Sequence, residues 1–423
     1  MAITITQQPA QDALANRRLM FAATSNNSAN TGFRFRVVVT TTQGTNSFWI
    51  PPNPSGAAII DIAQLVKLNN QEINSSASIH KIIAPLLEPS GNGVIYDYSV
   101  SIQEAWEVAG VLTLQGSATV STYDMMFNGN LQASDPNTTS ISTRYTLDSS
   151  TKRFASDRKP TTHYWLYGNL YGLAPDSSTI YIPVREADWG VMTIPWTRTK
   201  VANALKVTIY EADGTNTAAS LNVGGINAGD MYHYPFYPAN LNVNTSGLPK
   251  PSDYPDWRYI TIQALENNAA RSMKYVLYNT ANLLQKECIY NNIRIAWKGF
   301  GGSWEYFNFI KKNEKSYNID RKQYRKVLGT YGSTYTMIGQ ERGLTEVDVV
   351  AEQVITANSD WLSEGEFEFL TGLFVSRQVM IVNDDGTHTP VVVQDSGFTE
   401  RKTRDGKQVN QQIQLKYSNN LWV

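Results

Sequence analysis

Three acids at alternate positions, Glu364, Glu366 and Glu368, come nearest to catalytic equipment in this chain. Paired carboxylates can protonate a leaving group and activate water in glycoside cleavage. These three fall on a segment whose apolar residues recur at helical spacing. They occupy its polar half, so a solvated helix face explains them. Acids near a helix start also complement the dipole there. Glu104 and Glu107 flank Trp106 and could hold a sugar, but strand alternation sends them to opposite faces as ordinary edge charges. The run Asn383-Asp384-Asp385-Gly386-Thr387-His388 lacks the alternating oxygen ligands and distal Glu of a calcium loop; a hairpin turn accounts for its Asp-Gly.

Signatures for nucleophiles, metals and phosphates are missing. The histidines His80, His163, His233 and His388 lie far apart in sequence, and the lone Cys288 beside Ile289 reads as a small buried hydrophobe. Gly299 to Gly302 lacks the G-x-G-x-x-G order, and no P-loop lysine, G-x-S-x-G elbow or H-E-x-x-H pair occurs. No catalytic residue, metal or cofactor is therefore expected. A basic cluster (Lys311, Lys312, Lys315, Arg321, Lys322, Arg325, Lys326) is interleaved with Tyr317 and Tyr324 and could touch nucleic acid. Glu314 and Asp320 dilute it. Charge patterning favours a solvated loop, with a lumen or subunit contact in an assembly as the alternative.

Composition narrows the classes further. A length of 423 residues suits two to four domains. Charged residues make up 17%, below the typical ~25%, and a formal charge of -1 gives no overall pull toward nucleic acid or anionic membrane. Nucleic acid is not expected as a partner. No apolar run reaches the length of a transmembrane helix. The single cysteine excludes a disulfide framework and a thiolate zinc site. Met1-Ala2-Ile3-Thr4 lacks the basic and apolar regions of a signal peptide, so synthesis in a cytoplasm is expected.

Periodicity supplies the elements. Residues 1–31 are polar and predict a flexible arm. Strands are predicted over Phe33 to Val39, Ser47 to Ile50, Val94 to Val100, Ser101 to Trp106 and Val111 to Val120, the spacing of a β-sandwich domain over 32–150. Asn130 to Lys159 is Ser/Thr/Asp-rich and marks a boundary. A second β-rich domain over 151–285 holds Tyr164 to Tyr171, Thr179 to Val184, Val191 to Trp196, Ala204 to Tyr210, Arg258 to Ala264 and Ser272 to Tyr278. Within it Asp213-Gly214 predicts a type I′ turn, and Tyr232 to Lys250 an irregular boundary loop. The last region, 286–423, reads as an α+β assembly module. Strands Ile289 to Trp297 and Trp304 to Ile310 precede a helix over Trp361 to Val375, capped by Ser359-Asp360. Hairpins across Asp385-Gly386 and Asp405-Gly406 follow. The fold class is thus mainly β and multi-domain, with one helix and β-hairpins at the C-terminal end.

Two stretches carry a resemblance. Cys288-Ile289-Tyr290, Ile293 to Trp297 and Gly301-Gly302-Ser303-Trp304-Glu305-Tyr306-Phe307-Asn308-Phe309 form a strand ending in Trp, a Gly-Gly turn and an aromatic return strand. With Phe33 to Val39, Ile50 to Gly56 and Ile60-Asp61-Ile62, this resembles structural, tail-associated proteins of tailed bacteriophages across about half the chain. The resemblance implies a non-enzymatic virion component of the tail or of its fibre or neck attachment. Its implied partners are further copies of itself and other virion proteins.

The residues expected to build the C-terminal module and its contacts are Trp297, Trp304, Phe307, Phe309, Leu370 and Phe374. Both indoles are expected near the hairpin turn, packed on the helix stripe of Leu370, Leu373 and Phe374. The alternative is a receptor- or glycan-binding protein at a tail tip, with Tyr234, Tyr237, Tyr254 and Trp257 as stacking aromatics on a host surface glycan. An enzyme degrading surface polysaccharide ranks last, for want of an acid pair.

Overall fold

The computed structural model describes residues 3–9, 18–41, 44–68, 79–88, 95–126, 147–160, 178–196, 201–223, 231–280, 291–299, 302–340, 343–362, 364–376, 378–395 and 409–418. The expected strand Tyr164 to Tyr171, His163, Cys288, most of the Asn130 to Lys159 tract and the Asp405-Gly406 turn lie outside them.

The protein is mainly β, and its first unit is a sandwich. Strands β1 (Ile3–Gln7), β2 (Met20–Ser25), β3 (Arg34–Thr41), β4 (Gly44–Ile50) and β5 (Ala57–Asp61) lead into helix α1 (Ala63–Leu68). After β6 (Leu86–Glu88) come the long strands β7 (Ile95–Val108) and β8 (Val111–Met126). One sheet runs β1-β2-β5 and the other β4-β3-β7-β8. Alternation on β3 buries Phe35, Val37 and Val39 against Phe21, Ala23 and Ile60 of the facing sheet. The described part of residues 1–31 is therefore no arm: β1 pairs with β2, and Ile3, Leu19 and Phe21 join the core. Val94 to Val100 and Ser101 to Trp106 merge into a single strand. The type I′ turn of this unit sits at Ala109-Gly110, where φ is 54° and 80°. Glu104 is not an edge charge. It is buried, accepting hydrogen bonds from Ser25 Oγ at 2.5 Å and Asn27 Nδ2 at 3.2 Å.

The middle of the chain contributes β9 (Thr179–Val184), β10 (Met192–Pro195), β11 (Ala204–Glu211), β12 (Asn216–Asn222) and β13 (Met231–Tyr234). Helix α2 (Pro238–Val243), β14 (Trp257–Glu266), β15 (Ala269–Ala270) and β16 (Lys274–Asn279) follow. The main sheet runs β12-β11-β14-β16-β9, its last pair parallel; β10-β13-β6 forms a smaller one. Since β6 pairs with β13, residues 79–88 belong here and not to the sandwich. Asp213-Gly214 closes β11 to β12, but positive φ occurs at Gly214 alone. Gly214 N–H donates to Glu211 O and Glu211 N–H to Thr215 O, the pattern of a three-residue loop with a left-handed glycine. Tyr232 to Lys250 is no boundary loop: Tyr234, Phe236 and Leu241 are fully buried in the core.

The C-terminal unit holds β17 (Ile293–Lys298), β18 (Trp304–Phe309), β19 (Asn313–Arg325), β20 (Thr330–Tyr331), β21 (Tyr335–Thr336) and β22 (Leu344–Leu362). Helix α3 (Glu364–Val375), β23 (Val379–Val382), β24 (His388–Val393) and β25 (Val409–Tyr417) complete it. Seven strands form one sheet, β18-β17-β23-β24-β25-β22-β19, with α3 over the core of its first face. The helix starts two residues beyond Leu362, because Trp361 and Leu362 still pair in β22 with β25. Ser359 does not cap it; its Oγ accepts from Gln411 N–H at 2.7 Å and ties β22 to β25. Alternation on β17 and β18 feeds two cores. Ile295, Trp297, Phe307 and Phe309 face α3, while Ala296, Trp304 and Tyr306 enter the core of the middle region. The expected boundary at 285/286 is thus crossed by a shared core.

Candidate functional site

The sequence-chosen residues lie inside the protein. Trp297, Phe307, Phe309 and Leu370 are buried in one core, with Phe374 packed against its margin. Trp297 meets Phe369 of α3 at 5.0 Å between ring centroids. Trp304 does not share that stripe. It pairs with Lys298 in the β17–β18 ladder and so points to the opposite face, where its ring meets His80 at 4.9 Å. Of the proposed glycan platform, Tyr234, Tyr237 and Trp257 are buried and Tyr254 half-buried. The rings of Tyr234, Tyr237 and Trp257 are taken up by the core, so these three offer no stacking surface. Glu366 is buried too, at 4% exposure, which overturns its place on a solvated face. Glu368 keeps a partly exposed ion pair with Lys159 at 2.5 Å.

Sequence reading missed a polar joint behind β17 and β18. Buried Asp188 accepts hydrogen bonds from Arg294 Nη1 at 3.0 Å, Asn308 Nδ2 at 2.6 Å and Arg185 Nε at 3.0 Å. Desolvation works against its charge, but Arg294 and Arg185 outweigh it and hold the carboxyl below its usual range. Arg294 stacks on Tyr237 and Tyr306, and Gly190 is packed so closely that a Cβ there would lie 2.9 Å from Tyr237. Tyr306 Oη accepts from Val191 N–H at 3.0 Å and shares a hydrogen bond with His80 Nδ1 at 2.9 Å. His80 Nε2 has no partner among the described residues. Burial, reinforced by His388, Arg294, Lys298 and His233, keeps His80 neutral well below the usual histidine range. His80 and His388 meet at 5.7 Å although far apart in sequence. Among the described residues no group of three or more His, Cys, Asp or Glu is placed to hold a metal. This set is built to lock regions together: its charges face each other rather than a cavity.

A second buried carboxyl lies on the other face. Glu305 accepts from Asp157 N–H at 2.8 Å and from Ser303 Oγ at 2.8 Å. Burial, with Asp157 beside it, pushes its pKa up to about 8.

The surface feature that stands apart is a two-stranded arm. The basic cluster is not a loop: Asn313 to Arg325 is the 13-residue strand β19, laddered to β22 from Asn313↔Ala357 to Arg325↔Leu344. Its residues are exposed on both faces beyond Asn313. Among the described residues no strand lies outside β19, and β25 accompanies β22 only from Val354 to Leu362. About ten residues of each strand therefore project some 30 Å at ~3.3 Å per residue. Alternation gives the ribbon two unlike faces. Tyr317, Ile319, Val349 and Leu344 are exposed on one beside Arg321 and Glu346; Asn318, Asp320, Lys322, Asp348 and Glu352 lie on the other with exposed Tyr324. Ladder-crossing ion pairs, Arg321–Glu346 at 2.9 Å and Lys322–Asp348 at 3.2 Å, hold the ribbon in register.

The chain matches no protein-family model and no curated protein.

At the tip, β20 and β21 close a short hairpin with Val327, Tyr331 and Met337 exposed at 75%, 80% and 65%. Gly329, at φ +100°, crosses so close that a Cβ would lie 2.8 Å from Met337 Cα. The arm base is fixed by Lys311 N–H to Asn358 O at 3.1 Å and by Asn358 Nδ2 to Lys312 O at 2.6 Å. The rooted ribbon exposes large apolar side chains along its length. No helix among the described residues is long and apolar enough to cross a membrane.

Proposed function

We propose that this chain is a non-enzymatic structural component of a tailed-phage virion, in the tail or its fibre or neck attachment, working in many copies with neighbouring virion proteins. The single observation that supports it best is the arm. A solitary soluble protein rarely extends a bare ribbon lined by Tyr317, Ile319, Leu344 and Val349, whereas a subunit covers it on assembly. Each such side chain, once fully buried, returns about 1.5–3 kcal/mol. The two-core C-terminal unit supplies a stiff base, and the resemblance of Ile293 to Trp297 and Trp304 to Phe309 to phage tail-associated proteins supplies the setting.

The glycan- or receptor-binding alternative rested on Tyr234, Tyr237, Tyr254 and Trp257, and the burial of Tyr234, Tyr237 and Trp257 leaves only the half-buried Tyr254. Mass photometry of the purified chain tests the assembly reading. Discrete multiples of the single-chain mass are expected; a single-chain mass across all accessible concentrations would contradict it.

A further inference from the structure

We propose that arms of successive copies pair edge to edge, the outer edge of β19 in one copy against the distal edge of β22 in the next. The pairing makes one continuous antiparallel sheet around a closed ring. This rests on the multi-copy reading above and names the contact that produces it.

The two edges of the ribbon differ in charge. Strand β19 carries Lys315, Arg321, Lys322 and Arg325 against Glu314 and Asp320. The stretch of β22 beyond β25, from Leu344 to Gln353, carries Glu346, Asp348 and Glu352 and no basic residue. Pairing β19 with β19 would join two strands of net positive charge, and pairing β22 with β22 would join two acidic ones. Only the unlike edges complement each other. Ladder partners stand at equal height on the arm, so a neighbour without axial offset places Lys322 level with Asp348 and Arg321 diagonal to Glu346, whose own level is that of Gln323.

Strand direction agrees. Chain travels outward along β19 and returns along β22. Arms pointing the same way therefore meet β19 to β22 as antiparallel neighbours, whereas β19 to β19 pairing would need arms pointing in opposite directions. The contact uses two different surfaces, so it is head-to-tail and closes into a ring when its rotation divides a full turn. In that ring Tyr317, Ile319, Val349 and Leu344 of every copy form one continuous band on one side of the sheet. The same band is not suited to lipid, because Arg321, Gln323 and Glu346 share that face. A bulge between Lys322 and Gln323 and the charges along the edge discourage wrong pairing before assembly.

The test uses two variants and native mass spectrometry. In the first, residues 317–353 are replaced by Asn-Gly, joining the ladder partners Ser316 and Val354 while leaving β25 on its partner. In the second, Arg321→Glu, Lys322→Glu, Glu346→Lys and Asp348→Lys together exchange the edge charges and keep the internal ion pairs reversed. The truncated chain is expected at the single-chain mass. The exchanged chain is expected to assemble with itself to the wild-type stoichiometry yet to stay separate from affinity-tagged wild type when the two are co-expressed. Freely mixed oligomers, or a preference for mixed ones, would overturn the β19–β22 contact. A truncated chain that still assembles would overturn the arm as the contact while leaving the multi-copy reading intact. A wild-type chain that never assembles would remove both.

Discussion

Replacing Trp297 with alanine should open the C-terminal core without touching the sandwich. The indole is fully buried, lies between β18 and β23, and meets Phe369 of α3 at 5.0 Å. Truncating a buried Trp costs ~3–5 kcal/mol, a large share of the ~5–15 kcal/mol that holds a typical domain folded. At 1.4 kcal/mol per tenfold, amide exchange in α3 and β17 should accelerate by about two to three and a half orders of magnitude. Hydrogen exchange with mass detection reports each core separately, which a single melting curve does not. Strands β2, β3 and β7 should exchange as in the wild type, because none of their residues belongs to the Trp297 core. Trp297→Phe should cost much less. Its ring still meets Phe369, and the indole N–H it removes has no hydrogen-bond partner among the described residues. Exchange of Glu364–Val375 within about threefold of wild type in Trp297→Ala, given that scale, would refute the packing argument.

Arg294→Met should destabilise by about 1.5–3 kcal/mol, because it removes one of the two guanidiniums facing the buried Asp188 carboxylate while Arg185 and Asn308 stay, and Arg294→Met with Asp188→Leu should recover part of that in urea unfolding. The pH dependence has two opposing parts. His80 is held neutral in the fold, so the unfolded chain binds more protons below about 6.5 and stability falls as pH drops through that range; His80→Gln should flatten this limb. Glu305 is held protonated up to about 8, so the fold binds more protons than the unfolded chain above the usual carboxyl range. Stability from it falls as pH rises toward 8, and Glu305→Gln should flatten that second limb. Gly329→Ala should disorder the arm tip, read as faster exchange over Thr330–Thr336 with the arm base unchanged.

Where a core faces one side, the sequence was readable. Phe35, Val37 and Val39 alternate because one face of β3 is buried, and Thr179 to Val184 runs apolar because both faces of β9 are. Turn chemistry was half readable: Gly214 and Gly386 do take positive φ, but Asp213 does not, and the two-residue turns fell to Ala109-Gly110 and Asn267-Asn268. Residues 1–31 were misread because Leu19, Phe21 and Ala23 are spread thinly among polar neighbours. The arm was invisible for a physical reason. A ribbon exposed on both faces has no core to impose a period, so Asn313 to Arg325 shows charges and no hydrophobic rhythm. The polar joint was hidden by distance along the chain, since His80, Asp188, Arg294 and His388 meet only through tertiary packing. A faint signal did exist at Leu344 to Ile355, whose Val347, Val349, Val350 and Val354 favour a strand.

As proposed above, this chain is a repeated part of a phage particle. Negative-stain electron microscopy of purified virions, labelled with an antibody against the chain, tests it most directly. The expected image shows label at one symmetric level of the tail or its attachment, several copies to a particle. Unlabelled particles, with all the chain left in the soluble fraction of the lysate, would contradict it.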